Sequence, residues 1–362
     1  DLVCIQYTSG TTGFPKGCLT THDYWLALAR TVYDQTAFRA GDVTVTAAPL
    51  SYMDPTWILT LCLVRDMELV ILPRFSASTF WRDVARGGVT WFYCLGTMPL
   101  LLLKQPADES VDRGHRVRFV LCSGIDARRH REIEERWGCP WREIYGSTEI
   151  GAGLMVPLDD SASVGSGSLG RSVPEREAAI VGPDGRSVED GQTGELLFRG
   201  EHMMRGYHRD PEATARWCSD GWAHTGDLAF RDERGYIHLA GRIKDMIRRG
   251  GENISAAEVE SVLCQHPAVR AAACVPVPDE LRGEEVKAFV QLQPGETATS
   301  TPPDLLLEFA RQKLASFKVP RYVEYVERFP LTPSERIEKS RLLASKPDQR
   351  VGAYDAVSRS WS

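Results

Sequence analysis

The stretch "VRFVLCSGIDARRHREIEERWG" (Val117–Gly138) decides the fold class. Its opening "VRFVLCSG" is a short apolar run closed by Ser-Gly, which reads as a buried strand ending in a turn. The remainder, "DARRHREIEERWG" (Asp126–Gly138), reads as a helix. Upstream, "VTWFYC" (Val89–Cys94), "ELVILP" (Glu68–Pro73) and "DVTVTAAPL" (Asp42–Leu50) read as further short buried strands, with "SASTFWRDVARGG" (Ser76–Gly88) as a helix among them. In "HDYWLALARTVYDQTA" (His22–Ala37), Trp25, Leu28, Ala29 and Val32 recur at helical spacing. Strands alternating with helices imply an α/β fold with a mostly parallel, helix-covered sheet.

From about Gly165 the character changes. Gly/Pro/Asp turns separate "REAAIVG" (Arg176–Gly182), "GELLFRG" (Gly194–Gly200) and "GYIHLAGR" (Gly235–Arg242), which suggests an antiparallel β subdomain over residues 165–243. After it come a helix "SAAEVESVLCQH", strands "VRAAACVPV" and "EEVKAFVQL", and a helix "PDLLLEFARQKLA", a small α+β unit. The expected organisation is a large domain over 1–243, a small C-terminal α+β domain over 244–346, and a polar, frayed tail over 347–362.

The 362 residues suit two to three domains with a sizeable core. A net charge of −6 argues against an electrostatically driven nucleic-acid or anionic-membrane binder. The nine cysteines are odd in number and never spaced as CxxC, so neither a disulfide framework nor a zinc site is expected and a reducing cytoplasm is the default. The run "WILTLCLV" (Trp57–Val64) is far shorter than the roughly 20 residues a membrane-spanning helix needs, so no transmembrane segment is expected. Of 43 basic residues only eight are lysine, so arginine in a lysine's customary place is unsurprising here.

Chemistry begins with "YTSGTTGFPKG" (Tyr7–Gly17), between a strand and a helix. Its glycines (among them Gly10 and Gly13) allow close backbone approach. The hydroxyls of Thr8, Ser9, Thr11 and Thr12 with free amides can surround phosphate oxygens, and Lys16 adds a mobile positive charge. The GxxxxGK[ST] pattern does not fit it. A flexible linker would not need so specific a string.

With this loop and four further motifs in order, the chain resembles the AMP-forming adenylating enzymes, which include acyl-CoA synthetases, firefly luciferase and peptide-synthetase adenylation domains. Those motifs are "YGSTEIG" (Tyr145–Gly151), "GELLFRG", "HTGDLAF" (His224–Phe230) and "GRIKDMIRRGGENIS" (Gly241–Ser255). The resemblance implies that Tyr145 stacks on adenine, Thr148 contacts phosphate and Glu149 holds Mg²⁺, a hard cation suited to carboxylate oxygen. It implies that Asp227 accepts from the ribose hydroxyls, that Arg242 reaches the ribose or phosphate region, and that Lys244 sits at the hinge between large and small domains. Taken alone, each of these has an ordinary alternative: Glu149 a solvated loop acid, Asp227 a turn aspartate, Arg242 a strand-end arginine, Lys244 a solvated lysine. The resemblance further implies that the small domain swings between two half-reactions, a gating device.

Departures from the family pattern are informative. Where relatives carry a lysine in "LPxTxxGK", this chain reads "FPLTPSERIEKSRL" (Phe329–Leu342), with Arg336 at that position. Arg336 substitutes as a rigid fork, Lys339 takes the role after a small shift, or adenylation is impaired. Tyr52 stands where many relatives have histidine at the acyl pocket, and "WFYCLGTMP" (Trp91–Pro99) lines that pocket or fills the core. In "CSGIDARRH" (Cys122–His130), Gly124 fits the family's adenine wall, whereas Ile125 and Asp126 do not match it. Since the chain opens on Asp1 with the phosphate loop almost at once, it is expected to be a fragment lacking the family's N-terminal portion, and poorly folded and inactive alone.

The implied activity is ATP-dependent activation of a small organic acid followed by transfer to CoA, with ATP, Mg²⁺ and CoA taking part. Gly251 and its neighbours in "RRGGENIS" resemble the CoA-ligase branch, where small glycines leave room for the pantetheine arm. One resembling branch uses carnitine- or crotonobetaine-like acids. Two other functions stay open: loading of a separate carrier protein, and non-catalytic nucleotide binding.

Overall fold

The computed structural model describes residues 1–8, 15–95, 97–331 and 337–362. The chain forms two compact units, one of Asp1–Thr225 with Ala229–Leu239, the other of Gly226–Leu228 with Ala240–Ser362. The second unit thus begins a few residues before the hinge lysine expected to open it, and it takes in Asp227.

The first unit is organised on a ten-stranded sheet. Trp91–Leu95, Phe119–Ser123 and Trp141–Ser147 are parallel neighbours, with Trp91 opposite Phe119 and Val120 opposite Trp141. Parallel strands need a crossover, supplied between the last two by the helix His130–Trp137, which Gly138 ends at φ 68°. Strands covered on both faces are mostly apolar, as in Trp91–Leu95 and Phe119–Ser123, whereas Trp141–Ser147 also buries Arg142 and Glu143. Trp91, Phe119 and Leu121 join one core cluster with Trp25, Leu28 and Trp57. Phe92, Val120 and Cys122 point the other way, into a cluster with Phe80, Trp81 and Trp137. There, Trp137 stacks between Trp81 and Trp141 with ring centroids 5.1 and 5.3 Å apart, each pair adding about 0.5–1.5 kcal/mol beyond area burial. Trp91 and Phe92, at 0% exposure, are therefore core residues and not pocket lining.

The antiparallel strands expected over 165–243 are present and belong to the same sheet. From the outer edge the order is Glu177–Val181, Gly194–Arg199, Trp222–Arg231, Ile237–Arg242, Ser168–Ser172, Gly151–Met155 and then the parallel strands. Gly151–Met155 turns back antiparallel against Trp141–Ser147 and so joins the two halves. That reversal needs Gly146, because a Cβ there would collide with the Gly151 carbonyl.

The second unit holds a seven-stranded sheet in which Val269–Asp279 and Gly283–Leu292 form a long hairpin, Cys274 facing Ala288. The helices Ala256–Leu263 and Pro303–Arg311 bury Val259, Leu263, Leu306 and Leu307 in its core. The frayed tail expected over 347–362 is a correction. Tyr354–Asp355 pairs antiparallel with Tyr322–Tyr325, and Ser360–Trp361 folds back on it. Ala353 is fully buried, Tyr354 donates to Asp304 at 2.8 Å, and Asp355 pairs with Arg321 at 3.2 Å. A polar average concealed these few specific contacts. No helix among the described residues is long and apolar enough to cross a membrane.

Candidate active site

In the first unit, the strands Leu2–Thr8 and Lys16–Thr21 pair antiparallel and set Thr8 opposite Lys16 and Tyr7 opposite Gly17. The pairing brings both ends of the glycine-rich stretch together. Ser9, Gly10, Thr11, Thr12 and Gly13 lie outside the described residues. On the other side of Lys16–Thr21 runs the segment 204–208. Leu19 donates to Gly206 at 2.9 Å, Arg205 to Leu19 at 2.9 Å and His208 to Gly17 at 2.7 Å. Cys18 and Tyr207 are thereby bridge partners.

This pairing carries Tyr207 to the centre of the site. The Lys16 ammonium stands 4.9 Å from the centre of its ring. Its hydroxyl donates to Glu149 Oε1 at 2.9 Å, across 58 residues of sequence. Burial and the Glu149 charge push the Tyr207 hydroxyl's pKa up, so it stays a neutral donor. The Glu149 backbone is pinned as well, its carbonyl accepting from Met204 at 2.9 Å. Next to it, the Thr148 carbonyl accepts from the Tyr24 hydroxyl at 3.0 Å, and the Ile150 carbonyl accepts from Arg176 Nε and Nη2 at 3.1 and 2.6 Å. Tyr24 reaches inward because Thr21 caps its helix, accepting from the Tyr24 amide at 3.1 Å. The buried Cys18 thiol has its pKa raised by burial and by Glu149, against the opposing pull of Lys16. Lys16 and Glu149, far apart in sequence, are thus brought together around Tyr207.

Tyr145 is half-buried and stacks on Phe198, ring centroids 6.0 Å apart. Gly124, at φ 100°, has an amide that donates to Glu143 Oε1 at 2.6 Å, and Ile125 donates to Oε2 at 2.9 Å. Glu143 is nearly inaccessible, and burial pushes its carboxyl up to about 7 against those two amides. The departure from the family's glycine-rich wall at Ile125 is thus accompanied by a buried carboxylate that sets the loop's course.

In the second unit, Asp227 is 4% exposed and its Oδ1 lies 2.6 Å from Arg242 Nε. Burial lowers the pKa of the Lys244 ammonium; Arg242 and Lys339 reinforce this, and Asp245 and Asp227 oppose it. Lys339 pairs with Glu260 at 2.7 Å, and the same Glu260 oxygen accepts from the Cys274 amide at 2.6 Å. Burial alone would lower the Lys339 pKa; the Glu260 charge outweighs it and raises it. Gly250 and Gly251, at φ 58° and 87°, form the two-residue turn between Met246–Arg249 and Glu252–Ser255, the left-handed geometry such hairpins require. A side chain at either glycine would meet open space. Arg336 lies outside the described residues.

Tyr207, Tyr24, Glu143 and Glu260 were not found by sequence reasoning. The available signal for Tyr207 was Gly206-Tyr207 a few residues before the helix-opening Asp210-Pro211, a pattern that locates a turn and names no partner. Among the described residues no group of three or more His, Cys, Asp or Glu side chains is placed to hold a metal. A divalent cation would therefore rely on Glu149 and on phosphate oxygens. Mg²⁺ suits such a site, since it is bound through one or two carboxylates plus substrate phosphates and keeps several waters. Glu149 fits: Tyr207 occupies one oxygen, and among the described residues the other accepts no hydrogen bond.

The family model described as AMP-binding enzyme matches residues 1–208, and that of the AMP-binding enzyme C-terminal domain matches residues 258–336. The chain is similar to the sulfoacetate–CoA ligase of Cupriavidus necator, 35% identical over 94% of this chain and 66% of that protein. Among solved structures it is similar to ATP-bound MatB from Rhodopseudomonas palustris, with a TM-score of 0.87 at 30% identity, covering 95% of this chain and 68% of that one. It is also similar to the o-succinylbenzoate CoA synthetase of Bacillus subtilis in complex with ATP and magnesium, TM-score 0.81 at 29% identity, covering 93% and 69%. The chain spans about two thirds of the length of the curated relatives it matches, from 60% to 69%.

Proposed function

Because the chain belongs to the AMP-binding enzyme family, we propose that it serves an AMP-forming acid–CoA ligase. In the first half-reaction a carboxylate oxygen of a small organic acid attacks the α-phosphorus of ATP. The bond to the β-phosphate oxygen breaks, leaving acyl-AMP and pyrophosphate. In the second, the CoA sulfur attacks the acyl carbon, AMP departs with the bonding pair, and the thiol proton passes to solvent.

The observation that carries this reading is the gathering of Lys16 and Glu149 around Tyr207, beside the paired strands Leu2–Thr8 and Lys16–Thr21 that flank the glycine-rich stretch. Negative charge accumulates on the phosphoryl oxygens in the transition state, so prearranged cations and amides are the main source of rate. Lys16, with the amides and hydroxyls of Thr8, Ser9, Gly10, Thr11, Thr12 and Gly13, would bind the phosphates. Thr148 would contact phosphate, and Glu149 would hold the nucleotide-bound Mg²⁺, which supplies charge neutralisation when bound. Tyr145 and Gly124 would flank adenine, and Asp227 with Arg242 would receive the ribose. Lys339's pairing with Glu260 favours Arg336 as the cation that joins adenylation. Gly251 in its open turn would admit the pantetheine arm, and Lys244 would mark the hinge. One relative is named a sulfoacetate–CoA ligase, which favours a small organic acid as substrate.

Pyrophosphate release by the full-length protein with ATP, Mg²⁺ and a panel of aliphatic, aryl, betaine and sulfonated acids tests the reading, followed by thioester formation when CoA is added. Arg336→Ala should slow acyl-AMP formation by roughly two orders of magnitude and leave thioester formation from supplied acyl-AMP within a few-fold. Equal losses in both steps would remove Arg336 from its role, and no pyrophosphate with any acid would remove the activity.

A further inference from the structure

Resting on the activity proposed above, we infer that Tyr207 is a positioning residue, whose hydroxyl orients the Glu149 carboxylate towards a nucleotide-bound divalent cation. The hydrogen bond from the Tyr207 hydroxyl to Glu149 Oε1 is 2.9 Å long. A glutamate side chain has several rotatable bonds, so a fixed direction for its free oxygen requires a partner on the other one. The chemistry of the partner matters. An arginine or lysine there would orient the carboxylate and cancel the charge the cation needs, whereas a phenol orients it and leaves the negative charge intact.

Tyr207 is itself held from three sides. Its amide donates to Thr214 Oγ1 at 2.9 Å, and that hydroxyl donates to the Asp210 carbonyl at 2.9 Å. The ring meets Trp217 edge-on, centroids 6.5 Å apart. Thr214 and Trp217 belong to the short helix Pro211–Trp217, whose start is fixed by Pro211 and by Asp210, which accepts from the Ala213 amide at 2.9 Å. Gly206, at φ 135°, lets the chain pass so close to Thr214 that a Cβ would lie 2.7 Å from Thr214 Cγ2. On the remaining side the 204–208 segment is hydrogen-bonded to Lys16–Thr21. One ring therefore ties the strand that carries Lys16 to the loop that carries Glu149. A tyrosine that merely filled space would need the ring alone, and phenylalanine would serve as well.

The test uses the full-length protein, Mn²⁺ as a paramagnetic stand-in for Mg²⁺, and a non-hydrolysable ATP analogue. Tyr207→Phe should weaken Mn²⁺ binding to the enzyme–nucleotide complex about tenfold by electron paramagnetic resonance titration. AMP affinity without metal and the melting temperature should match wild type. Glu149→Gln should weaken Mn²⁺ binding further, and adding Tyr207→Phe to it should cost less than about twofold more, since the hydroxyl acts through that carboxylate. Wild-type Mn²⁺ affinity in Tyr207→Phe, equal weakening of metal-free AMP binding, or additive losses in the double variant would overturn the inference with the proposed activity untouched. A wild-type protein that binds no nucleotide would overturn both.

Discussion

The candidate site residues of the two units are held in contrasting ways. In the first, Glu149 and Thr148 are oriented by neutral hydroxyls, Tyr207 and Tyr24, and Lys16 rests over an aromatic face. In the second, Asp227 is paired with Arg242, and Lys339 with Glu260. A hydroxyl directs a charge and leaves it available to a ligand; an ion pair spends the charge internally and holds the fold. The first arrangement suits a fixed phosphate site, the second a unit whose cations serve stability until something better competes for them.

The largest expected effect attacks the first half of this contrast. Glu149→Ala should lower pyrophosphate release by about 10²–10³-fold with little change in melting temperature, because the charge it removes serves the ligand. The mirror experiment is Lys339→Met. It should cost about 3 kcal/mol in urea denaturation by stranding the mostly buried Glu260, with acyl-AMP formation per folded molecule near wild type. A large loss of adenylation at unchanged stability would instead give Lys339 the role assigned to Arg336.

A third experiment uses pH. Glu143 titrates at about 7 in the folded protein, against 4.5 for an ordinary glutamate, so folding favours its protonated form. Its contribution is fully present below about pH 4.5 and is lost as pH rises towards 7, on the order of 3 kcal/mol. Wild type should therefore lose stability relative to Glu143→Met between pH 5 and 8, measured by urea midpoints. A pH-independent difference would mean that Glu143 is ordinary. The smallest effect is expected at the support beneath Tyr207. Asp210→Ala removes the cap of helix Pro211–Trp217 and should cost about 1 kcal/mol, with a modest rise in KM for ATP.

Much of the fold was legible because its signals are local. Phe119–Ser123 is an unbroken apolar run, and a parallel strand covered on both faces must look like that. His22–Asp34 shows its helical period, with Leu28, Ala29 and Val32 buried. The tail was misread for a related reason: the burial of Ala353 and the bond from Tyr354 to Asp304 involve too few residues to colour a composition. The aromatic run at Trp91–Tyr93 was ambiguous between pocket and core, and its alternation into two opposite clusters resolved it.

The same boundary runs through the site. Lys16 could be proposed from its glycine- and hydroxyl-rich stretch, and Glu149 and Asp227 from the resemblance of their motifs to the adenylating enzymes. Their supports could not. Tyr207 meets Glu149 across 58 residues, and Glu143 meets Gly124 across 19, through sheet registers that no linear spacing encodes. Residue type and periodicity act within a few positions. The direction in which a carboxylate points depends on which distant strand lies alongside, and folding alone supplies that.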